Sequence, residues 1–154
     1  AQGLVFGVLT SEGQINVKAN RRLVELGGEA VFHRAFDALP DPFEALEALI
    51  GLGFRRVLSS GGRSTALQGV ETLRRLVEKA DGRIEILPGG GVRPENVSEI
   101  VARTGVSQVH LAGLEWVEDS SATGMALNGP QHPEDRYSRV DERVVAAVSR
   151  AIRA

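Results

Sequence analysis

Five short apolar runs, separated by polar loops and helical patterns, constrain the fold of this chain most strongly. Each run is rich in Val, Ile, Leu or Phe, which is typical of strands buried on both faces of a parallel sheet. The predicted strands are Gly3–Leu9, Ala30–Phe36, Arg56–Ser60, Ile84–Leu87 and Ser107–Ala112. Successive strands are roughly 22–29 residues apart, which is the period of a strand–helix unit. The sequence therefore predicts an α/β fold with parallel strands.

Helical patterns fill the gaps between the predicted strands. They are predicted to begin after Asn16, at Pro42 behind an Asp41 cap, at Thr65, at Pro94 and at a Ser138–Asp141 cap, with Val140 already on the apolar face of the last helix. Residues 113–137 are rich in Gly, Ser, Pro and Asn and show no periodicity, so we expect a long irregular loop there. The 154 residues are expected to form a single domain.

Two architectures suit this alternation of strands and helices: an open, doubly wound parallel α/β sheet and a closed (β/α)8 barrel. Five strands in 154 residues fit the open sheet, whereas a closed barrel typically takes about 250 residues. On the pattern alone, the open sheet is favoured.

Composition excludes several classes of protein. A net charge of −2 provides no basic surface for nucleic acid, and no apolar run approaches the roughly 20 residues of a membrane helix. The sequence has no cysteine, which excludes disulfides and thiolate metal sites within it. No targeting segment opens the chain, so we expect a cytoplasmic protein without nucleic-acid or membrane partners.

Ionisable side chains gather where the second predicted strand ends. In α/β proteins, ligands bind at the carboxyl ends of parallel strands. His33 and Asp37 are candidate catalytic residues, because a carboxylate beside an imidazole makes a proton-transfer pair. Arg34 is a candidate ligand-binding residue that could hold an anion bidentately. The alternative for Arg34 is a structural ion pair with Glu85, the one charge inside the fourth predicted strand.

Glycines follow the next predicted strands. Gly89, Gly90 and Gly91 lie between the fourth strand and a helix, where their backbone N–H groups can approach an anion or phosphate. Ser60 and Gly61 make a weaker version of this feature at the exit of the third strand. The alternative is that these glycines serve only tight turns that need positive φ angles.

His110 lies near the exit of the fifth predicted strand. It is a candidate ligand-binding residue, although a lone histidine on a strand is more often a hydrogen-bonded core residue. His33 and His110 together are the candidate metal ligands, if they meet across the end of the sheet.

Five motifs at the strand exits resemble the CutC copper homeostasis family. They are Gly3–Thr10, Val31–Asp37, Arg56–Gly61, Ile86–Val92 and Val109–His110, and the resemblance extends to about Asn128. The resemblance implies a (β/α)8 barrel of which this chain supplies strands four to eight, about five βα units, with the N-terminal units absent. It also implies a cytoplasmic protein with a role in copper homeostasis or copper binding and no established reaction.

The resemblance names copper as the cofactor. The cysteines proposed as Cu(I) ligands in some family members belong to the absent portion, so the soft donor in this sequence is Met125. The alternative function is a barrel lyase or isomerase acting on a phosphorylated or otherwise anionic small molecule, with His33 or Asp37 moving the proton. A third interpretation is a non-catalytic, oligomeric binding protein. We expect a homo-oligomer, because an incomplete barrel exposes the edge of the first strand.

Overall fold

The computed structural model describes residues 2–118 and 136–153. The chain divides into two compact units, Ala1–Leu111 and Ala112–Ala154. The first unit contains β1 (Gly3–Phe6), α1 (Val17–Val24), β2 (Glu29–Phe32), α2 (Pro42–Leu52), β3 (Arg56–Ser59), α3 (Val70–Ala80), β4 (Glu85–Pro88) and α4 (Val97–Thr104). The second unit contains β5 (Leu114–Glu118), β6 (Arg136–Val140) and α5 (Glu142–Arg153).

The first unit is an α/β layer built on a parallel sheet, as predicted. Its four strands lie in the order β1-β2-β3-β4, and each pairs in parallel with the next. Helices α1 to α4 pack against one another in the same order. The described sheet has four strands, whereas barrel closure takes eight.

One row of side chains across the sheet forms its buried face. Phe32 is level with Val57, and Val57 is level with Ile86. All three are at most 6% exposed. Phe32 also contacts the ring of Phe54, just beyond α2, at 5.4 Å between centroids. Burying each of these side chains contributes about 1.5–3 kcal/mol, so this row binds the sheet to its helices.

The opposite face carries an ion network near the N-terminal ends of the strands. Arg56 on β3 pairs with Glu29 on β2 and with Glu85 on β4, the latter at 2.6 Å between Nε and Oε2. Glu85 also pairs with Arg55 at 2.8 Å. The predicted pair of Arg34 with Glu85 is therefore wrong. Glu85 opens β4 level with Arg56, whereas Arg34 lies beyond the opposite end of β2.

The second strand ends earlier than predicted. β2 stops at Phe32, and Arg34–Ala38 form a 3-10 helix instead of extending the strand. His33 begins that helix with an extended backbone, and its ring Nδ1 accepts a hydrogen bond from the backbone N–H of Ala35. A local side-chain cap thus competes successfully with strand pairing.

The prediction of a fifth strand over Ser107–Ala112 is also wrong, because these residues form no strand. Only His110 pairs with this part of the sheet, through an isolated parallel bridge to Gly89, the residue after β4. Near the start of β4, the side chain of Gln108 contacts Glu85 at 3.2 Å, with no backbone ladder beside it. The chain then forms β5, which pairs antiparallel with β6. The predicted irregular loop thus contains strand residues at both ends, and its residues 119–135 lie outside the described part.

The predicted caps of α1 and α2 are confirmed, and that of α5 is displaced: Ser138–Asp141 was predicted as the cap with Val140 already helical, whereas Ser138 and Val140 lie in β6 and α5 begins behind Asp141. The side chains of Asn16, Asp41 and Asp141 each accept a hydrogen bond from a backbone N–H in the first turn of α1, α2 and α5. Asp41 accepts a second one from Glu44, and Pro42 occupies the first helical position. Among the described residues, no helix is long and apolar enough to cross a membrane.

Two helices begin later than predicted, α3 at Val70 rather than Thr65 and α4 at Val97 rather than Pro94. Before α3, the backbone N–H of Ala66 donates to the carbonyl of Gly90 at 2.9 Å. Before α4, the side chain of Asn96 accepts from the backbone N–H of Arg93 and holds a turn. These contacts keep both segments as loops at the strand exits.

Candidate functional site at the strand exits

The carboxylate of Asp37 joins the exits of β2 and β3. Its Oδ1 accepts hydrogen bonds from the hydroxyl of Ser59 at 2.6 Å and from the backbone N–H groups of Ser60 and Gly62, both at 3.1 Å. Its Oδ2 accepts from the hydroxyl of Ser60 at 3.0 Å and from Nε of Arg34 at 2.8 Å. One side chain therefore holds two loops together.

These hydrogen bonds also determine the charge of Asp37. Burial opposes ionisation, since the side chain is only 11% exposed. Hydrogen bonds from Ser59, Arg34 and the backbone of Ser60 and Gly62 outweigh that penalty and lower the pKa of Asp37. A carboxylate that is stabilised in its ionised form is a weak proton acceptor. In this arrangement, the role of Asp37 is to position Arg34, Ser59 and Ser60.

His33 lies at the same edge but makes different contacts. Its Nδ1 accepts from the N–H of Ala35 at 3.2 Å, so the neutral ring carries its proton on Nε2. A Cβ at Gly7, just beyond β1, would lie 2.7 Å from that Nδ1, which shows how closely β1 approaches the ring. Within the described residues, no hydrogen bond or ion pair joins His33 to Asp37 or to His110.

Arg34 is fixed by several hydrogen bonds. Nε donates to Asp37, and Nη2 donates to the hydroxyl of Ser60 at 2.6 Å and to the carbonyl of Arg63 at 3.3 Å. Nη1 lies against Gly90, where a Cβ would be 3.2 Å away. Nη1 donates no hydrogen bond within the described residues, and the side chain is 42% exposed. Part of a rigidly held guanidinium is thus available to a ligand.

Close backbone contacts shape the β3 exit. Gly61 has a φ of +70° and lies against Gly69, the residue before α3. A Cβ on Gly69 would be 1.9 Å from the carbonyl oxygen of Ser60. Sequence reasoning missed Gly69 and the carbonyl of Arg63. The available signal for Gly69 was an isolated glycine inside the helical pattern predicted from Thr65, and a backbone carbonyl leaves no signal.

The β4 exit brings glycine backbone to the same edge. Gly89 donates its N–H to the carbonyl of Ser59 at 2.9 Å. Gly90 and Gly91 have φ angles of +102° and +66°, so they need the conformations that glycine allows. In the described part of the chain, their N–H groups have no acceptor. His110 is exposed and contributes its backbone, not its ring, to the bridge with Gly89.

The donors in this part of the chain do not fit a copper ion. Cu(I) prefers thiolate and thioether ligands, the sequence has no cysteine, and Met125 lies outside the described residues. Across residues 2–118 and 136–153, no group of three His, Cys, Asp or Glu side chains is placed to hold a metal. The structure therefore unites Arg34, Asp37, Ser60, Gly61 and Gly90, and leaves the predicted metal pair of His33 and His110 unjoined.

Comparison with known proteins places the chain in a family. The model of the CutC family matches residues 1–114, which include every site residue described above. The chain belongs to the CutC family. A CutC family protein of Treponema denticola is 48% identical over 123 residues, which are 79% of this chain and 50% of that protein. The copper homeostasis protein cutC homolog of Homo sapiens is 40% identical over 137 residues, which are 83% of this chain and 50% of that protein.

A solved CutC structure is also similar. The crystal structure of the putative copper homeostasis protein CutC from Streptococcus agalactiae matches with a TM-score of 0.68 and 39% identity. The match covers 71% of this chain and 55% of that one. This chain spans about half the length of the curated relatives cited above. The predicted family is thereby confirmed.

Proposed function

We propose that this protein acts in copper homeostasis as a (β/α)8 barrel whose strand-exit edge binds a small ligand. The observation that carries the proposal is the convergence of three successive strand exits on one cluster. Asp37 and Arg34 follow β2, Ser60 follows β3, and Gly90 follows β4. In barrels and open α/β sheets alike, the carboxyl ends of the strands form the ligand site.

The strand order supports a barrel. Strands β1 to β4 are neighbours in chain order, and α1 to α4 form one layer in the same order. A doubly wound sheet instead reverses its strand order and carries helices on both faces. In this proposal, the chain is four consecutive units of the barrel, and the remaining strands belong to a protein of its relatives' length.

The role in copper homeostasis is supported by the names of the relatives, among them the human copper homeostasis protein cutC homolog. The donor set described above argues that the strand-exit edge of this chain does not itself coordinate copper. In this proposal the protein is cytoplasmic, and its contribution is to bind a small anionic molecule. The Arg34 guanidinium is the cationic group closest to the cluster.

Catalysis at the same edge is the second candidate, and the placement of His33 favours it. With Nδ1 occupied by the N–H of Ala35, the proton on Nε2 is in a defined position. Asp37 is the weaker candidate, because its hydrogen bonds stabilise the ionised form. A barrel lyase or isomerase acting on an anionic small molecule would therefore move its proton through His33.

Self-association of this chain on its own is a further part of the proposal, because a complete barrel would pair the edge of β1 with another strand. Among the described residues, β1 is an edge strand that pairs only with β2. Val5 in that strand is 66% exposed, and its register partner Val31 lies on the same face. An exposed apolar edge strand is a template for pairing with another chain.

Titration with Cu(I) in competition with a chromogenic chelator tests the proposal. We expect the chain to take up far less than a stoichiometric amount of copper. His33→Ala and His110→Ala should leave the titration curve unchanged. Stoichiometric uptake that either variant abolishes would contradict the proposal, because it would make the two histidines copper ligands.

A further inference from the structure

We propose that the strand-exit edge recognises an oxyanion, the phosphate or carboxylate group of a small molecule. The oxyanion binds between Nη1 of Arg34 and the backbone N–H groups of Gly90 and Gly91. This inference rests on the proposed function, since it names the ligand class of the same edge. Three observations carry it.

The first observation is that Arg34 is already ordered. Nε and Nη2 are both engaged, by Asp37 at 2.8 Å and by Ser60 at 2.6 Å. Ordering a long side chain normally costs free energy on binding, and here the protein has ordered it beforehand. The remaining Nη1 presents N–H donors in a fixed plane, which suits an oxyanion better than a flexible ammonium does.

The second observation is the backbone beside Nη1. The Cβ position of Gly90 lies 3.2 Å from Nη1 and 3.4 Å from Cζ of Arg34. The absence of a side chain therefore leaves the guanidinium in contact with the backbone. The N–H groups of Gly90 and Gly91 donate to no described residue, and both glycines have positive φ angles. Successive free N–H groups of this kind form anion-binding concavities.

The third observation is the charge of the surrounding loops. Asp37 is the acidic group in the cluster and pairs with Arg34 at 2.8 Å, so the two side chains together carry no net charge. Arg63 and Arg93 follow β3 and β4 and are exposed. Neither side chain forms an ion pair or hydrogen bond within the described residues. These two arginines add positive charge that attracts an anion to the edge.

Amide NMR on the full chain tests the inference, with inorganic phosphate and acetate titrated separately at constant ionic strength. We expect the largest shifts at the amides of Gly90 and Gly91 and at Nε–H of Arg34. Arg34→Gln should weaken binding roughly 10- to 100-fold, the usual effect of losing a charge-assisted hydrogen bond. Arg34→Lys should recover little of this loss, because it restores the charge without the planar fork.

Arg103→Gln is the matched control, because it removes the same charge from the exposed surface of α4, where Arg103 pairs with Glu99. It should change phosphate binding by less than about twofold. Amide shifts with phosphate but not with acetate identify a phosphorylated ligand, and shifts with acetate but not with phosphate identify a carboxylate. Either result supports the inference.

Three results would overturn the oxyanion inference. They are no shift with either anion, shifts scattered over the surface arginines, and equal weakening by Arg34→Gln and Arg103→Gln. If any of them occurs and the chain takes up no copper, the oxyanion inference fails together with the anionic ligand of the proposed function, whereas the barrel and the role in copper homeostasis stand. Stoichiometric copper uptake at His33 and His110 instead refutes the proposed function, whatever the anion titrations show.

Discussion

Replacing Gly69 with alanine should disrupt the β3 exit by steric overlap alone. The new Cβ would lie 1.9 Å from the carbonyl oxygen of Ser60 and 3.0 Å from Cα of Gly61. These are backbone atoms, so neither can move aside as the end of a flexible side chain would. Gly69 has a φ of −94° and a ψ of 10°, which alanine also tolerates. Backbone strain therefore does not contribute to the expected loss of stability.

The expected magnitude follows from this geometry. Overpacking a well-packed site typically costs about 1–3 kcal/mol and occasionally more. Because the overlap at Gly69 involves backbone on both sides, we expect Gly69→Ala to cost at least about 3 kcal/mol, the upper end of that range. Gly51→Ala is the matched control. Gly51 lies inside α2 with no atom within 4 Å of a Cβ, so alanine there should stabilise the chain by about 0.5–1 kcal/mol.

Urea unfolding of the full chain, followed by far-ultraviolet circular dichroism, measures both effects. With a slope of about 1–3 kcal/mol per molar urea, Gly69→Ala should lower the midpoint by roughly 1–3 M, and Gly51→Ala should raise it slightly. Phosphate binding should also weaken in Gly69→Ala, because Ser60 would move away from Arg34. A midpoint equal to that of the wild type would refute the reasoning. It would mean that the backbone at Gly69 can move away from the backbone at Ser60 and Gly61 without lowering the stability of the fold.

Two further predictions concern charge and assembly. Asp37→Asn should cost about 1–3 kcal/mol at pH 7. The pKa of Asp37 is lowered by folding, so its contribution is present above the unfolded value of about 3.9 and is lost as the pH falls through the lower folded pKa. Urea unfolding at pH 7 and pH 3 should show the difference between variant and wild type shrinking, while the cap variant Asp41→Asn stays near wild type at pH 7. Sedimentation velocity should show self-association of the chain, and Val5→Lys on the exposed edge should reduce it. A monodisperse wild-type monomer would contradict this prediction.

Local patterning was enough to predict the strands β1 to β4 and the caps of α1 and α2. Short buried strands appear in the sequence as continuous apolar runs, and caps are contacts between residues two or three apart. The motifs at the strand exits were also enough to predict the CutC family, which the match over residues 1–114 confirms. Each of these predictions depends only on residues that are close together in the sequence.

Contacts between distant residues were decided only by the tertiary structure. Glu85 pairs with Arg56 rather than Arg34, because strand register sets which residues are level. Asp37 meets Ser59 and Ser60, more than 20 residues away, because β2 and β3 end at the same edge. Neither the stop of β2 at Phe32 nor the reduction of the fifth strand to one bridge has a strong local signal. For the two pairings and the fifth strand, the outcome depends on whether a partner group is in reach, and chain folding rather than local sequence determines that distance. The stop of β2 instead accompanies the local cap that His33 forms on Ala35.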